Sequence, residues 1–223
     1  MATDLLSCVE LGATDAQYSI IWLHGLGANG HDFEPIVPEL NLPPEEKLRF
    51  VFPHAPQQPV TINSGVVMPA WYDILSPELD HGEDETGIRR SQQHIDALIQ
   101  RENVRGVPTQ NIIIAGFSQG GAIALHTGLR YPQRLAGILA LSTYLPLVQT
   151  VRQEASEINQ DLPIFMAHGS HDPIVPLRLA EESRHYLEQF GYQPEWKTYF
   201  MEHSVCPDEI GDISQWLFRL LTS

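Results

Sequence analysis

The sequence predicts an α/β fold: a mostly parallel central sheet covered by helices on both faces. Three observations carry the prediction. Short apolar runs alternate with amphipathic stretches throughout the 223 residues. One of those runs leads through a G-x-S-x-G into a small-residue helix. An acid and a histidine that fit that serine fall later in the chain, each in a loop just after a predicted strand.

In chain order, Tyr18 to Leu23 is the first buried strand, followed at once by His24-Gly25-Leu26-Gly27-Ala28-Asn29-Gly30. The glycine spacing fits neither a dinucleotide fingerprint nor a P-loop. It suits either an ordinary strand-end loop or a loop whose N–H groups converge on an oxyanion. Phe33, Ile36, Val37 and Leu40 mark a short helix that Pro43-Pro44 should break, and Leu48 to Phe52 is the next strand. From Pro53 to Leu75 the chain is proline-rich and apolar, with Asn63-Ser64-Gly65 as a turn between two extended runs. Its side chains either wall a substrate pocket or pack on the core. His81 to Glu85 reads as a solvated acidic loop, and Ile88, Ile95, Leu98 and Ile99 mark an amphipathic helix.

Ile112 to Ala115 is a strand apolar enough to be buried on both faces. Gly116-Phe117-Ser118-Gln119-Gly120 follows, then a helix that Tyr131-Pro132 stops. Such a turn lifts the Ser118 hydroxyl above the sheet at a helix N-terminus, where negative charge is favoured. Leu135 to Leu141, Pro163 to Ala167 and Trp196 to Met201 are further strands; Leu179 to Phe190 and Ile210 to Leu221 are helices. The polar segment Val148 to Asp161 is too short for a separate lid domain.

The length suits a single domain spanning 1–223. At 43% hydrophobic and 18% charged residues the composition is that of a globular enzyme, not a disordered chain. A formal net charge of −15 argues against nucleic acid and anionic membrane surfaces as partners. Two cysteines, Cys8 and Cys206, make no disulfide framework. The start carries no secretory signal and no apolar run reaches spanning length, so a cytoplasmic protein without stable membrane insertion is expected.

A serine needs a base to attack at neutral pH, and the base needs an orienting acid. Of the ten histidines, His94, His126 and His185 lie in predicted helices, and His24 and His168 close strands, where they suit loop-holding hydrogen bonds. His31, His54 and His81 have no acid from a later strand end. His203 follows the last strand and Asp172 the one before it, giving Ser118, Asp172, His203, the chain order of the α/β-hydrolase fold. Gln119, next after the serine, supplies one oxyanion N–H. A metal reading of His168-x-x-His171-Asp172 fails the zinc-protease helix pattern and lacks a second cluster; no metal or cofactor is expected.

With these residues in hand, the chain resembles the phospholipase/carboxylesterase family, which includes acyl-protein thioesterases and small bacterial carboxylesterases. The matching stretches are IIWLHGLGANGHDF, SGVVMPAWYDI, GFSQGGAIALHTGLRYP, LSTYLPL, HGSHDPIVP and MEHSVCPDEI, from about Ile20 to the C-terminal helix. The resemblance implies Ser118 as nucleophile, Asp172 as acid, His203 as base, and the backbone N–H groups of Leu26 and Gln119 as oxyanion hole. Asn29 stands where many members carry Asp, and Glu202 where Gly is common before the histidine. The expected function is hydrolysis of a small-molecule ester or an acylated substrate through an acyl-enzyme. Met68, Trp71, Tyr72, Ile74, Leu75, Leu145 and Val175 are the expected acyl-chain wall. The alternatives are a lysophospholipase or peptidase on the same scaffold, and a non-catalytic binding protein, which predicts a broken triad. A homodimer rests on the resemblance alone.

Overall fold

The computed structural model describes residues 5–42, 47–79 and 82–222. The strands are β1 (Cys8–Gly12), β2 (Tyr18–Leu23), β3 (Leu48–Pro53), β4 (Gln57–Val60), β5 (Val66–Pro69), β6 (Ile112–Phe117), β7 (Gly137–Leu141), β8 (Ile164–Gly169) and β9 (Glu195–Tyr199). The helices are α1 (Ile36–Glu39), α2 (Glu85–Val104), α3 (Gln119–Arg130), α4 (Val148–Glu154), α5 (Leu177–Gln189) and α6 (Pro207–Leu221). Seven strands form one sheet in the order β1-β3-β2-β6-β7-β8-β9, with only β1 antiparallel to its neighbour. The register sets Ile20 beside Ile113 and Ile114 beside Ile138.

Successive residues of β6 point to opposite faces, and both faces are buried. Ile112 and Ile114 join Ile88, Ile95, Leu98 and Leu125 of α2 and α3 on one side. Ile113 and Ala115 join Ile36 of α1, Leu40 just after it, and Ile213 and Leu217 of α6 on the other. This explains why the central strands are continuous apolar runs. Asp84 caps α2 by accepting from the Gly87 amide at 2.9 Å.

Two elements exceed the sequence expectations. β1 is an edge strand with only partly buried residues, too short to show a period. The polar segment after β7 forms α4, in which only Val151 is buried. The predicted turn at Asn63-Ser64-Gly65 is present: Ser64 (φ 55°) and Gly65 (φ 75°) reverse the chain between β4 and β5. Pro43-Pro44 and His81 lie outside the described residues. Among the described residues no helix is long and apolar enough to cross a membrane.

Candidate active site

Ser118 links β6 to α3 with φ 55° and ψ −122°, a conformation that non-glycine residues rarely adopt. Several contacts hold it there. Its N–H donates to Leu141 O at 2.8 Å, and its carbonyl accepts from Ala122 N–H at 3.1 Å and Thr143 Oγ1 at 2.7 Å. The flanking glycines are required by close approach. A methyl on Gly116 would run into the Gly120 backbone, and one on Gly120 into the carbonyl oxygens of Leu23 and His24. The turn therefore packs directly against the loop that follows β2.

That loop is fixed in its own right. Ala55 N–H donates to His24 Nε2 at 3.1 Å, so Nδ1 carries the proton and donates to Gly25 O at 2.7 Å. Burial holds the His24 pKa below its ordinary value, which keeps the ring in this neutral form. Trp71 Nε1 donates to His24 O at 2.8 Å, and Gly27 N–H to Pro69 O at 2.9 Å. Leu26 thus sits between two anchored residues. Gln119 ties the other side: its Oε1 accepts from Trp71 N–H at 2.8 Å, and its Nε2 donates to Tyr72 O at 2.7 Å.

His203 and Asp172 meet across loops that are distant in sequence. His203 Nδ1 lies 2.6 Å from Asp172 Oδ2, while Oδ1 accepts from Ile174 and Val175 N–H at 2.8 and 2.9 Å. Burial pushes the Asp172 pKa up, but the bonds from His203, Val175 and Ile174 together outweigh it and hold the group below the usual carboxylate range. The acid is accordingly a carboxylate at neutral pH, able to fix His203 with its Nδ1 protonated. Gly169 lets the loop over β8 close in, because a methyl there would strike the carbonyls of Met201 and Glu202. Phe117 connects the two halves, with its ring centroid 4.7 Å from that of His203.

His168 donates from Nε2 to Val175 O at 2.8 Å, the loop-holding role expected of it. His171 is exposed and pairs instead with Ser170 and the Phe200 ring. The two imidazoles of the His168-x-x-His171-Asp172 stretch therefore have separate partners. Among the described residues no group of three or more potential ligands is placed to hold a metal.

The residues expected to wall an acyl chain fall in different surroundings. Trp71 is fully buried and donates its indole N–H to His24 O, so it braces the loop. Val175 is buried too and serves Asp172 and His168 through its backbone. Tyr72, Ile74 and Leu75 line one small cavity with Tyr144, whose hydroxyl is 2.9 Å from that of Tyr72. Leu145 lies in a different groove of about 230 Å³ with Tyr186 and Leu179. Met68 lies against Gly27, where an added methyl would come within 3.7 Å of its sulfur. Sequence reasoning missed Thr143 and Phe117. Thr143 follows β7, and the strand-end rule that found Asp172 and His203 points to it as well.

The comparisons with known proteins agree with this architecture. The family model for Phospholipase/Carboxylesterase matches residues 6–221. The acyl-protein thioesterase 1 of Neurospora crassa is 41% identical over 212 residues, covering 91% of this chain and 86% of that protein. The acyl-protein thioesterase 1 of Cryptococcus neoformans is 38% identical over 222 residues, with 91% and 92% covered. Among solved structures, SOBER1 of Arabidopsis thaliana superposes with a TM-score of 0.87 at 32% identity, covering 92% of this chain and all (100%) of that one. Acyl-protein thioesterase 2 of Zea mays superposes with a TM-score of 0.83 at 26% identity, with 96% and 99% covered.

Proposed function

The chain belongs to the phospholipase/carboxylesterase family and is a serine hydrolase of carboxylic esters or thioesters; on that premise we propose two-step acyl transfer through Ser118, His203 and Asp172. In the first step His203 Nε2 takes the Ser118 hydroxyl proton as Oγ attacks the acyl carbonyl. The oxyanion is held by the N–H groups of Leu26 and Gln119, the second of them at the N-terminus of α3. His203 then protonates the departing alcohol or thiol, and the acyl-enzyme is cleared when His203 activates water. Asp172 stays ionised and sets the tautomer of His203.

The observation that carries this reading is the 2.6 Å contact of His203 with a buried, doubly amide-bonded carboxylate, its ring set against Phe117, which precedes a serine in a strained turn. A binding protein has no use for that strain. The names of the relatives favour thioesters of acylated proteins as substrate class, and the exposed Val66, Val67 and Leu75 supply apolar surface for an acyl chain near Met68. The reading includes a cytoplasmic location, supported by the free thiols of Cys8 and Cys206, and a homodimer, which sedimentation would test.

The test has two parts. A fluorophosphonate should label the protein at one residue, Ser118, and Ser118→Ala should abolish both the label and the burst of p-nitrophenol. A persisting stoichiometric burst would sink the assignment. Across p-nitrophenyl esters from acetate to dodecanoate, kcat/KM should rise by up to about fourfold per added methylene as far as the acyl site extends. A maximum at the shortest acids would make the protein a short-chain esterase instead.

A further inference from the structure

We propose that Phe117 is a positioning residue for the reaction: its ring holds the His203 imidazole in place and favours the imidazolium formed when Ser118 gives up its proton. The inference rests on the triad reading above and adds a component to it. Asp172 directs His203 through Nδ1, a single bond about which the ring can still rotate unless packing stops it. Phe117 supplies the second constraint, with ring centroids 4.7 Å apart and planes inclined by 48°.

Phe117 does not stand alone. Its ring centroid is 5.5 Å from that of Phe33, which stacks on Trp22 at 5.4 Å. Trp22 is fully buried on β2, so the row of aromatic rings runs from the core to the imidazole. The same ring abuts the loop after β2, since a methyl on Gly25 would lie 3.4 Å from Phe117 Cδ1 and 3.5 Å from Ser118 Cβ. One side chain therefore contacts the base and the oxyanion loop, and its backbone continues directly into Ser118.

In the attack step the Ser118 O–H bond breaks and its proton moves to His203 Nε2, an Oγ–C bond forms, and the carbonyl π pair moves onto its oxygen as the oxyanion. The imidazole gains a full positive charge with its centroid 4.7 Å from that of the Phe117 ring, and a cation over the face of an aromatic ring within about 6 Å of its centroid is attracted to it. The neutral ground state gains much less, so the contact lowers the barrier rather than tightening substrate binding.

The experiment replaces Phe117 with mono-, di- and trifluorophenylalanine, which keep the ring's shape while draining its π-density, and adds Phe117→Leu and Phe117→Tyr. The readouts are kcat/KM and KM for p-nitrophenyl butyrate, with Tm for each variant. The expected result is a stepwise fall in kcat/KM along the fluorinated series, reaching about fivefold, at unchanged KM and Tm. Phe117→Leu should fall at least as far, while Phe117→Tyr retains the parent rate. Fluorinated variants as fast as the parent would overturn the proposal, and they decide the matter even if Phe117→Leu fails to fold. A parent protein that hydrolyses no ester and takes no fluorophosphonate would instead overturn the triad reading itself, and this inference with it.

Discussion

The Ser118 turn and the β4–β5 hairpin lie on either side of the loop after β2, and they are built by opposite means. The turn sits between two fully packed elements, and its backbone is fixed by Leu141, Ala122 and Thr143. The hairpin forms its own two-stranded sheet, with Val66 56% and Val67 62% exposed. Its turn end is tied to the segment that follows, where Asp73 accepts from Thr61 N–H at 2.7 Å and Thr61 Oγ1 at 2.5 Å, and its base is held by Ala70 N–H donating to Pro56 O at 3.0 Å. Acyl transfer needs reacting groups held to fractions of an ångström, whereas holding a flexible chain needs only apolar area. The contrast predicts that substitutions in the turn region act on chemistry or folding, and those in the hairpin on substrate preference.

After Ser118→Ala, the largest effect should come from Asp172→Asn. The new side chain keeps an oxygen for the Ile174 and Val175 amides, so the loop stays folded, but it turns an NH₂ toward His203 and selects the wrong tautomer. A fall in kcat on the order of 10⁴-fold with little change in Tm is expected. Loss of less than tenfold would break the assignment of the acid.

Next is Gly120→Ala, which tests packing rather than chemistry. The methyl meets backbone oxygens of Leu23 and His24, which cannot rotate away as a flexible side chain would. A destabilisation of about 3 kcal/mol is expected in urea melts. Such a variant with parent stability would show that the turn and the β2 loop are not locked together.

Glu209 extends the comparison to the loop that carries His203, because it lies in the first turn of α6, just after that loop. The side chain is fully buried, and neither carboxylate oxygen has a hydrogen-bond partner. Burial pushes its pKa up to about 8, only partly offset by the nearby Cys206 amide. The sign follows from linkage. Below pH 4.5 the group is protonated in both states; above it the unfolded chain ionises while the folded one keeps its proton, so stability falls until about pH 8. Glu209→Gln removes that slope and should gain on the parent by about 1.4 kcal/mol for each pH unit between pH 4.5 and pH 8. An identical stability difference at both ends of the range would contradict the buried, protonated state.

The same contrast separates what could be read in the sequence from what could not. The β6 run, the glycines around Ser118 and the strand-end positions of Asp172 and His203 are dictated by burial on two faces and by a turn with no room for Cβ atoms, so they leave a pattern. β1 was not legible, since an edge strand with a half-exposed face imposes little on five residues. The bond from Trp71 to His24 O was not legible either, because an aromatic side chain in an apolar segment looks the same whether it faces a ligand or braces a loop. Phe117 meeting His203, like Gln119 bonding Tyr72, depends on how loops fold back across the sheet, and no local spacing encodes that.

The smallest effect, and the one that most sharpens the contrast, belongs to Val67→Ser. Val67 is mostly exposed and pairs only with Pro59 across the hairpin, so its loss should change stability by no more than about 0.5 kcal/mol. If the hairpin contributes apolar surface to the acyl site, the change still removes area that a long chain covers. For p-nitrophenyl octanoate kcat/KM should then fall up to about fourfold, the worth of roughly one buried methylene, while the acetate rate stays constant. Equal rates on both esters would move the acyl site away from the hairpin, toward the Leu145 groove. A parallel loss on both would mean that the hairpin positions Leu26, through the Gly27–Pro69 bond, and that the two regions are mechanically one.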